Sequence, residues 1–143
     1  MDYLEKQNQL LARLRNMDEL SRFDYLMHLA ASQPEGDDEL RRDENLFKAC
    51  HSNLWIEILD KEGGLCIHAD SDAMVVRAFL VLLLSALSNL TREEIADSRL
   101  DFWNDGCFDE LLDQRTRQGL TALAQHIRSK ACGKTQAGVS AVQ

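Results

Sequence analysis

The sequence predicts an α+β domain in which several helices pack against an antiparallel sheet of two to three strands. Apolar residues first recur at helical intervals over residues 4–15 and 20–31. The period then changes to two over residues 54–69, on either side of the turn sequence DKEGG. An almost wholly apolar segment at residues 73–87 follows, and it is typical of a buried helix.

Length and charge indicate one domain that binds proteins or small molecules. A chain of 143 residues is within the size range of a single compact domain. We assign residues 1–133 to that domain and predict a disordered tail at residues 134–143. The net charge of -8 argues against a general affinity for nucleic acid or for anionic membranes.

The N-terminus and the apolar segment both favour a cytoplasmic protein. The first residues lack the basic segment and apolar run of a secretory leader. Residues 73–87 are fewer than the about 20 that a bilayer span needs, and they include Arg77. In a reducing compartment the four cysteines are expected to be free thiols.

The first half of the chain contains two amphipathic helices and a hairpin. Asp18 is placed to cap the second helix, and Pro34 ends it before a charged loop at residues 35–43. Because a two-stranded hairpin is marginal in water, its apolar face must pack against helices. We expect a third strand, if there is one, from the segment before Cys50.

The second half is predicted to be helical. Asp70 and Ser71 can each cap the buried helix, and the sequence TREE at residues 91–94 is a capping box for a short one. Residues 101–112 suggest short helical pieces broken near Gly106, and a last helix ends before Gly133.

Cysteine is the residue type on which a chemical function depends here. The sequence has no phosphate-binding glycine loop, no nucleophile elbow and no paired histidine motif for a metal. Cys50 lies between Lys48 and His51, where a polar loop meets a strand, and this setting leaves a reactive and a structural role equally open. The other three cysteines are predicted to be structural: Cys66, Cys107 and Cys132.

Two rival interpretations use neighbouring polar residues. Several side chains have soft ligand atoms for a metal or cluster, although their spacing matches no recognised zinc pattern, so we assign no metal ligand. These are Cys50, Cys66 and Cys107 with one of His51, His68 or His126. Arg115 and Arg117 are at the start of the final helix, where the helix dipole disfavours cations. They either form a solvated surface or recognise a carboxylate or a partner protein.

The sequence resembles SufE-type sulfur acceptors over nearly its whole length. The segment DENLFKACHSNLW at residues 43–55 is similar to the family's cysteine signature, and DSDA at residues 70–73 is similar to its second signature. The C-terminal half adds LTREEI at residues 90–95, FW at 102–103 and QGL at 118–120.

This resemblance implies a SufE/IscU-like fold and a sulfur-carrier function. Cys50 stands at the position that accepts persulfide sulfur from a cysteine desulfurase, which the carrier also stimulates, and hands it to an iron-sulfur scaffold or another acceptor. Pyridoxal phosphate belongs to the desulfurase, so the chain itself needs no cofactor and is not expected to be an enzyme. The supporting or partner-binding residues are Lys48, His51, Ser52, Asp70, Ser71, Asp72, Arg115 and Arg117.

Three departures from the family pattern concern the choice of partner. Ala49 replaces the usual glycine and predicts a loop with ordinary negative φ, while His51 replaces glutamine and Thr116 stands at the usual arginine place. Two alternatives remain beside the carrier. One is a cysteine-ligated metal or iron-sulfur scaffold, and the other is a paralogue that binds the desulfurase without carrying sulfur.

Overall fold

The computed structural model describes residues 2–33, 38–62 and 64–133, so Pro34 and the predicted tail lie outside the described residues. In chain order the helices and strands are α1 (Tyr3–Arg15), α2 (Glu19–Ser32), β1 (Leu54–Lys61), β2 (Gly64–Ser71), α3 (Met74–Leu87), α4 (Arg92–Asp97) and α5 (Gln114–Cys132). Short 3-10 turns occupy Asp43–Asn45, Phe102–Asn104 and Gly106–Phe108. The α+β prediction is confirmed.

Side-chain hydrogen bonds hold the turn between the first two helices. Asp18 caps α2 by accepting a hydrogen bond from the backbone N of Ser21 at 2.8 Å, as its position predicts. The guanidinium of Arg22 donates to the carbonyls of Leu14 at 2.9 Å, Met17 at 2.7 Å and Cys107 at 3.0 Å. The bonds to Leu14 and Met17 hold the turn between α1 and α2, and the bond to Cys107 joins this turn to the C-terminal half.

The hairpin has the apolar face that the alternating pattern predicts. Ile56 pairs with Ala69 and Ile58 pairs with Ile67, so the apolar side chains of both strands share one face against the core. A third strand does not form in the described part of the chain. The segment before Cys50 contributes one antiparallel bridge, between Leu46 and Trp55.

The prediction that Asp70 and Ser71 cap α3 is wrong. The strand pairing extends to Ser71, which lies opposite Leu54, so both residues are part of β2. The N-cap is Ala73, whose side chain makes no capping bond, and the Ser71 Oγ accepts from the Ala73 backbone N at 3.1 Å from outside the helix. The register of the hairpin therefore outweighs the local capping preference.

Helix α3 is the centre of the core. It packs against α1, α2 and β2, and its buried side chains cover more than half of its circumference, whereas Met74 and Ser85 are exposed. Phe79 stacks on Phe102 and meets Phe108 edge-on, which brings the 3-10 segments onto the helix. In the part of the chain described, no helix has both the length and the apolar character required to cross a bilayer.

The C-terminal half forms as its sequence predicts. Thr91 and Glu94 make both bonds of the capping box at the start of α4. The region around Gly106 consists of short 3-10 turns, and α5 ends at Cys132 with Gly133 as its C-cap. Helix α4 then packs along α5.

Asp70 is buried between two arginines. Its Oδ2 accepts from Arg41 at 2.7 Å, and its Oδ1 lies 3.2 Å from Arg77 Nε. Arg41 also lies over the Trp55 ring at 4.8 Å, and Arg77 donates to the Gln33 carbonyl at 2.9 Å. One carboxylate thus ties the loop before Cys50 to the hairpin, α3 and the end of α2.

We expect Asp70→Ala to lower the free energy of unfolding by about 3 kcal/mol, because it leaves the Arg77 side chain, which is 10% exposed, without its counter-ion. Urea denaturation measures the loss. The matched control is Asp97→Ala at an exposed position of α4, which should change stability by less than about 0.5 kcal/mol. Equal losses in the two variants would contradict the structural role of Asp70.

Candidate functional site

Cys50 lies in a short loop whose two ends are joined. We call residues 47–53 the Cys50 loop. At its base the Phe47 backbone N donates to the Leu54 carbonyl at 2.7 Å, next to the bridge between Leu46 and Trp55. Within it, the Cys50 backbone N donates to the Phe47 carbonyl at 3.4 Å. The loop is therefore a closed excursion from the hairpin, with Cys50 in its turn.

The second signature segment holds the far end of this loop. The Asn53 carbonyl accepts from the Ser71 Oγ at 2.6 Å and from the Asp72 backbone N at 3.3 Å. The Asn53 side chain donates to Asp72 Oδ2 at 2.8 Å. Ser71 and Asp72 thus contact the Cys50 loop directly, whereas Asp70 holds the segment in place through its arginines.

The Cys50 loop lies along one face of α5. The Phe47 ring is 5.4 Å from the His126 ring, centroid to centroid, and Cys50 lies against Gly119. Positions 119 and 126 are about two helical turns apart and therefore share a face. The Cys50 thiol is half-buried in this position, where it packs against the core.

Gly119 makes this close approach possible. A Cβ at position 119 would lie 3.3 Å from Cys50 Sγ and 3.5 Å from Cys50 Cα, which is tighter than ordinary van der Waals contact for the sulfur. Glycine in a helix interior costs about 1 kcal/mol relative to alanine. In α5 this destabilising glycine is at the position where Cys50 packs.

Arg117 and Asp113 fix the first turns of α5. Asp113 caps the helix by accepting from the Thr116 backbone N at 2.8 Å. Arg117 donates to the Trp103 carbonyl at 2.8 Å and to the Asp105 carbonyl at 3.1 Å. It also pairs with Asp109 at 2.9 Å. The structure places Arg117 in the support of α5, behind the surface that Cys50 contacts.

The other predicted site residues surround the loop. Lys48 and His51 are exposed beside Cys50, Ser52 is half-buried, and Arg115 is exposed at the start of α5. The hydrogen bond from Thr116 lowers the pKa of Asp113, and the charge of His51 lowers it further. His51 therefore lies near the cap of α5. Within the described ranges, neither Lys48 nor His51 makes a hydrogen bond to the Cys50 thiol.

The remaining cysteines are in different environments. Burial, with the neighbouring Asp105 carboxylate, raises the pKa of Cys107 to about 11, so this thiol stays protonated at neutral pH. Cys132 is exposed at the end of α5, and Cys66 is half-buried on the hairpin. Over the described residues, no three histidine, cysteine, aspartate or glutamate side chains converge to hold a metal ion. The metal-scaffold alternative gains no support from this geometry.

Comparison with known proteins identifies the family. A model of the SufE domain, described as an Fe-S metabolism associated domain, matches residues 8–131. The chain belongs to the SufE family. That match covers both signature segments, the Cys50 loop and nearly all of α5, so it confirms the resemblance seen in the sequence and places the protein in iron-sulfur metabolism.

A solved structure shares the SufE fold of this chain. It is the solution structure of a hypothetical protein from Thermus thermophilus and is 17% identical in sequence. The alignment covers 92% of this chain and 96% of that one, with a TM-score of 0.72. At this identity the likeness concerns the fold alone.

The departures from the SufE pattern fit the local geometry. In the described residues, Asn89 is the non-glycine residue with positive φ, so Ala49 has the ordinary negative φ that its identity predicts. Thr116 is half-buried and its backbone N bonds to Asp113. The residue before Thr116, Arg115, is exposed at the start of α5, so an arginine lies one position from the usual arginine place.

Sequence reasoning about this SufE site missed two contact residues. Gly119 enters it only as part of the QGL resemblance, and His126 only as a candidate soft ligand. A glycine in the interior of a strongly periodic helix is the available signal for a close approach. No comparable signal points to the contact between His126 and Phe47, because the two residues are far apart in the chain.

We expect Gly119→Ala to push the Cys50 thiol toward solvent and so raise its rate of alkylation. Stability should change by less than about 1 kcal/mol, because the gain in helix propensity offsets the crowding. Iodoacetamide labelling, resolved by peptide mass, measures the rate at each cysteine. Gln125→Ala, at an exposed position on the same helix, is the control and should leave the Cys50 rate unchanged. An unchanged rate in Gly119→Ala would contradict the close contact.

The Phe47 contact with His126 should depend on pH. Burial lowers the pKa of His126 below its ordinary 6.5, and the nearby Lys130 charge lowers it further. The unfolded chain therefore takes up this proton first, and the stabilisation is lost as pH falls through the folded-state pKa. The stability advantage of the wild type over His126→Gln should shrink on going from about pH 8 to about pH 5. His28→Gln, exposed on α2, is the control; an advantage that grows with acidity would contradict the contact.

Proposed function

We propose that Cys50 carries sulfur as a persulfide, received from a cysteine desulfurase and delivered to iron-sulfur cluster assembly. The observation that supports this most is the position of Cys50 in a closed loop on α5, within a domain of the SufE family. In this proposal the protein is an acceptor and a stimulator of the desulfurase, and the desulfurase provides the pyridoxal phosphate.

The transfer is a thiol exchange that a single cysteine can perform. The Cys50 thiolate attacks the outer sulfur of the desulfurase persulfide, and a new S–S bond forms as the donor's S–S bond breaks. The desulfurase cysteine leaves as a thiolate. Lys48 and His51 flank Cys50 and are exposed, so in this proposal they are the side chains placed to assist the attack.

The position of the thiol limits the direction of attack. Gly119 lies against Cys50 on the α5 side, so the donor sulfur has to approach from the solvent side of the loop. A persulfide formed there would have α5 behind it and the loop backbone around it. We infer that this partial burial protects the carried sulfur from small reductants until a partner docks.

The docking surface in this proposal is the rim of the loop. Lys48, His51 and Arg115 are exposed around Cys50 on a chain whose overall charge is -8. The carboxylates of Asp72 and Asp113 also lie at this rim, so it favours a partner with a complementary pattern of both charges around its own active cysteine. Asp72 and Ser71 hold the end of the loop.

The decisive experiment follows sulfur onto one residue. The reduced protein is incubated with a cysteine desulfurase, free cysteine and pyridoxal phosphate, and its intact mass is measured. We expect the mass of one added sulfur atom, which dithiothreitol removes. Cys50→Ser should abolish the addition, whereas the matched control Cys132→Ser should retain it.

The same experiment tests which residue carries sulfur and whether the protein carries sulfur at all. Sulfur uptake that persists in Cys50→Ser would overturn the assignment of the carrier residue. Stimulation of the desulfurase without any sulfur uptake would identify a binding module that carries nothing. Lys48→Ala and His51→Ala should each slow the transfer and leave the folded state unchanged by circular dichroism.

A further inference from the structure

The outer face of the hairpin holds a cysteine and a histidine in contact. Cys66 and His68 are two positions apart on β2 and so share a face, with Cys66 Sγ 3.2 Å from His68 Nε2. The strand pairing puts Leu59 opposite Cys66 and Glu57 opposite His68. This face points away from the apolar row of the core, and His68 and Leu59 are exposed on it.

We propose that Cys66 is a second reactive thiol, a modification site for low-molecular-weight disulfides, with His68 as its base. In the reaction His68 takes the thiol proton and the Cys66 thiolate attacks one sulfur of the disulfide. The Cys66–S bond to that sulfur forms, the S–S bond of the disulfide breaks, and the other half leaves as a thiolate that picks up the proton. Cys66 is oxidised to a mixed disulfide and the small disulfide is reduced.

The distance is the first argument for this site. A nucleophile and its base act together when they lie within about 2.6–3.2 Å of each other, and the Cys66–His68 pair meets that condition. In a strand, side chains two positions apart are not forced into contact, so the two side chains lean toward each other. The half-buried thiol remains reachable from solvent.

The surrounding charges are the second argument. Glu57 lies across the ladder from His68, where a carboxylate stabilises the imidazolium that forms when the histidine takes the proton. Lys61 lies diagonally across from Cys66 on the same face and adds a positive charge on the side of the thiolate. Glu57 is also a diagonal neighbour of Cys66, opposite in charge to Lys61, so the contact with His68 is the main feature that distinguishes this thiol.

The two other cysteines outside the Cys50 loop provide internal references. Cys107 is half-buried, and its raised pKa, about 11, makes it the slow reference. Cys132 is more exposed than Cys66, so comparing their rates separates the effect of exposure from the effect of His68. If exposure alone set the rate, Cys132 would react before Cys66; if the His68 pair sets it, Cys66 would react first.

The experiment uses the full reduced chain and an aromatic disulfide, 5,5′-dithiobis(2-nitrobenzoate), as the probe near neutral pH. Each modified cysteine is quantified over time by peptide mass analysis. We expect Cys66 to react faster than Cys132, and His68→Gln to slow Cys66 by about threefold to tenfold without changing the Cys132 rate. Oxidised glutathione, tested second, should form a mixed disulfide at the same residue.

Two further variants make the result specific. Glu57→Gln should slow Cys66 by a smaller factor than His68→Gln, and His28→Gln, exposed on α2, should not change it. A Cys66 rate no higher than that of Cys132, or one insensitive to His68→Gln, would overturn the proposal. Neither result bears on the function of Cys50.

Discussion

Helix α3 is apolar around most of its circumference, and the need to cover it arranges the rest of the molecule. Helices α1 and α2 pack on it, the apolar face of the hairpin packs on it, and the aromatic residues of the 3-10 segments pack on its Phe79. Each covering element is amphipathic and can bury its own apolar face only there. The Asp70 carboxylate then fixes the angle at which the hairpin enters α3, because it pairs with Arg77 on the helix and with Arg41 on the loop.

The candidate site is a consequence of that arrangement. The hairpin directs the Cys50 loop away from α3 and across α5, where the missing side chain of Gly119 leaves room for the sulfur. Ser71 and Asp72 hold one end of the loop, and Phe47 holds the other against His126. The Cys50 thiol is half-buried against α5, so one side of it is covered and the other side can be reached from solvent.

The four cysteines show how strongly environment separates chemically identical groups. Cys107 is kept protonated by burial and by the Asp105 carboxylate, while Cys132 is exposed at a helix end. Cys66 meets an imidazole, and Cys50 meets a helix backbone. A family match identifies the protein's place in iron-sulfur metabolism, but these local differences decide which thiol is suited to which reaction.

Periodicity and capping residues were enough to predict the helices, the apolar face of the hairpin and the capping box of Thr91, because these depend on neighbours within a few residues. The error at Asp70 and Ser71 has the same origin: their side chains suit a helix cap locally, yet cross-strand pairing with β1 holds them in the strand. The signature segments also marked Cys50 and the residues that hold its loop. The contacts of Cys50 with Gly119, of Phe47 with His126 and of Asp70 with two arginines join segments far apart in the chain. Such contacts depend on how whole elements pack, and a single sequence carries no local pattern for them.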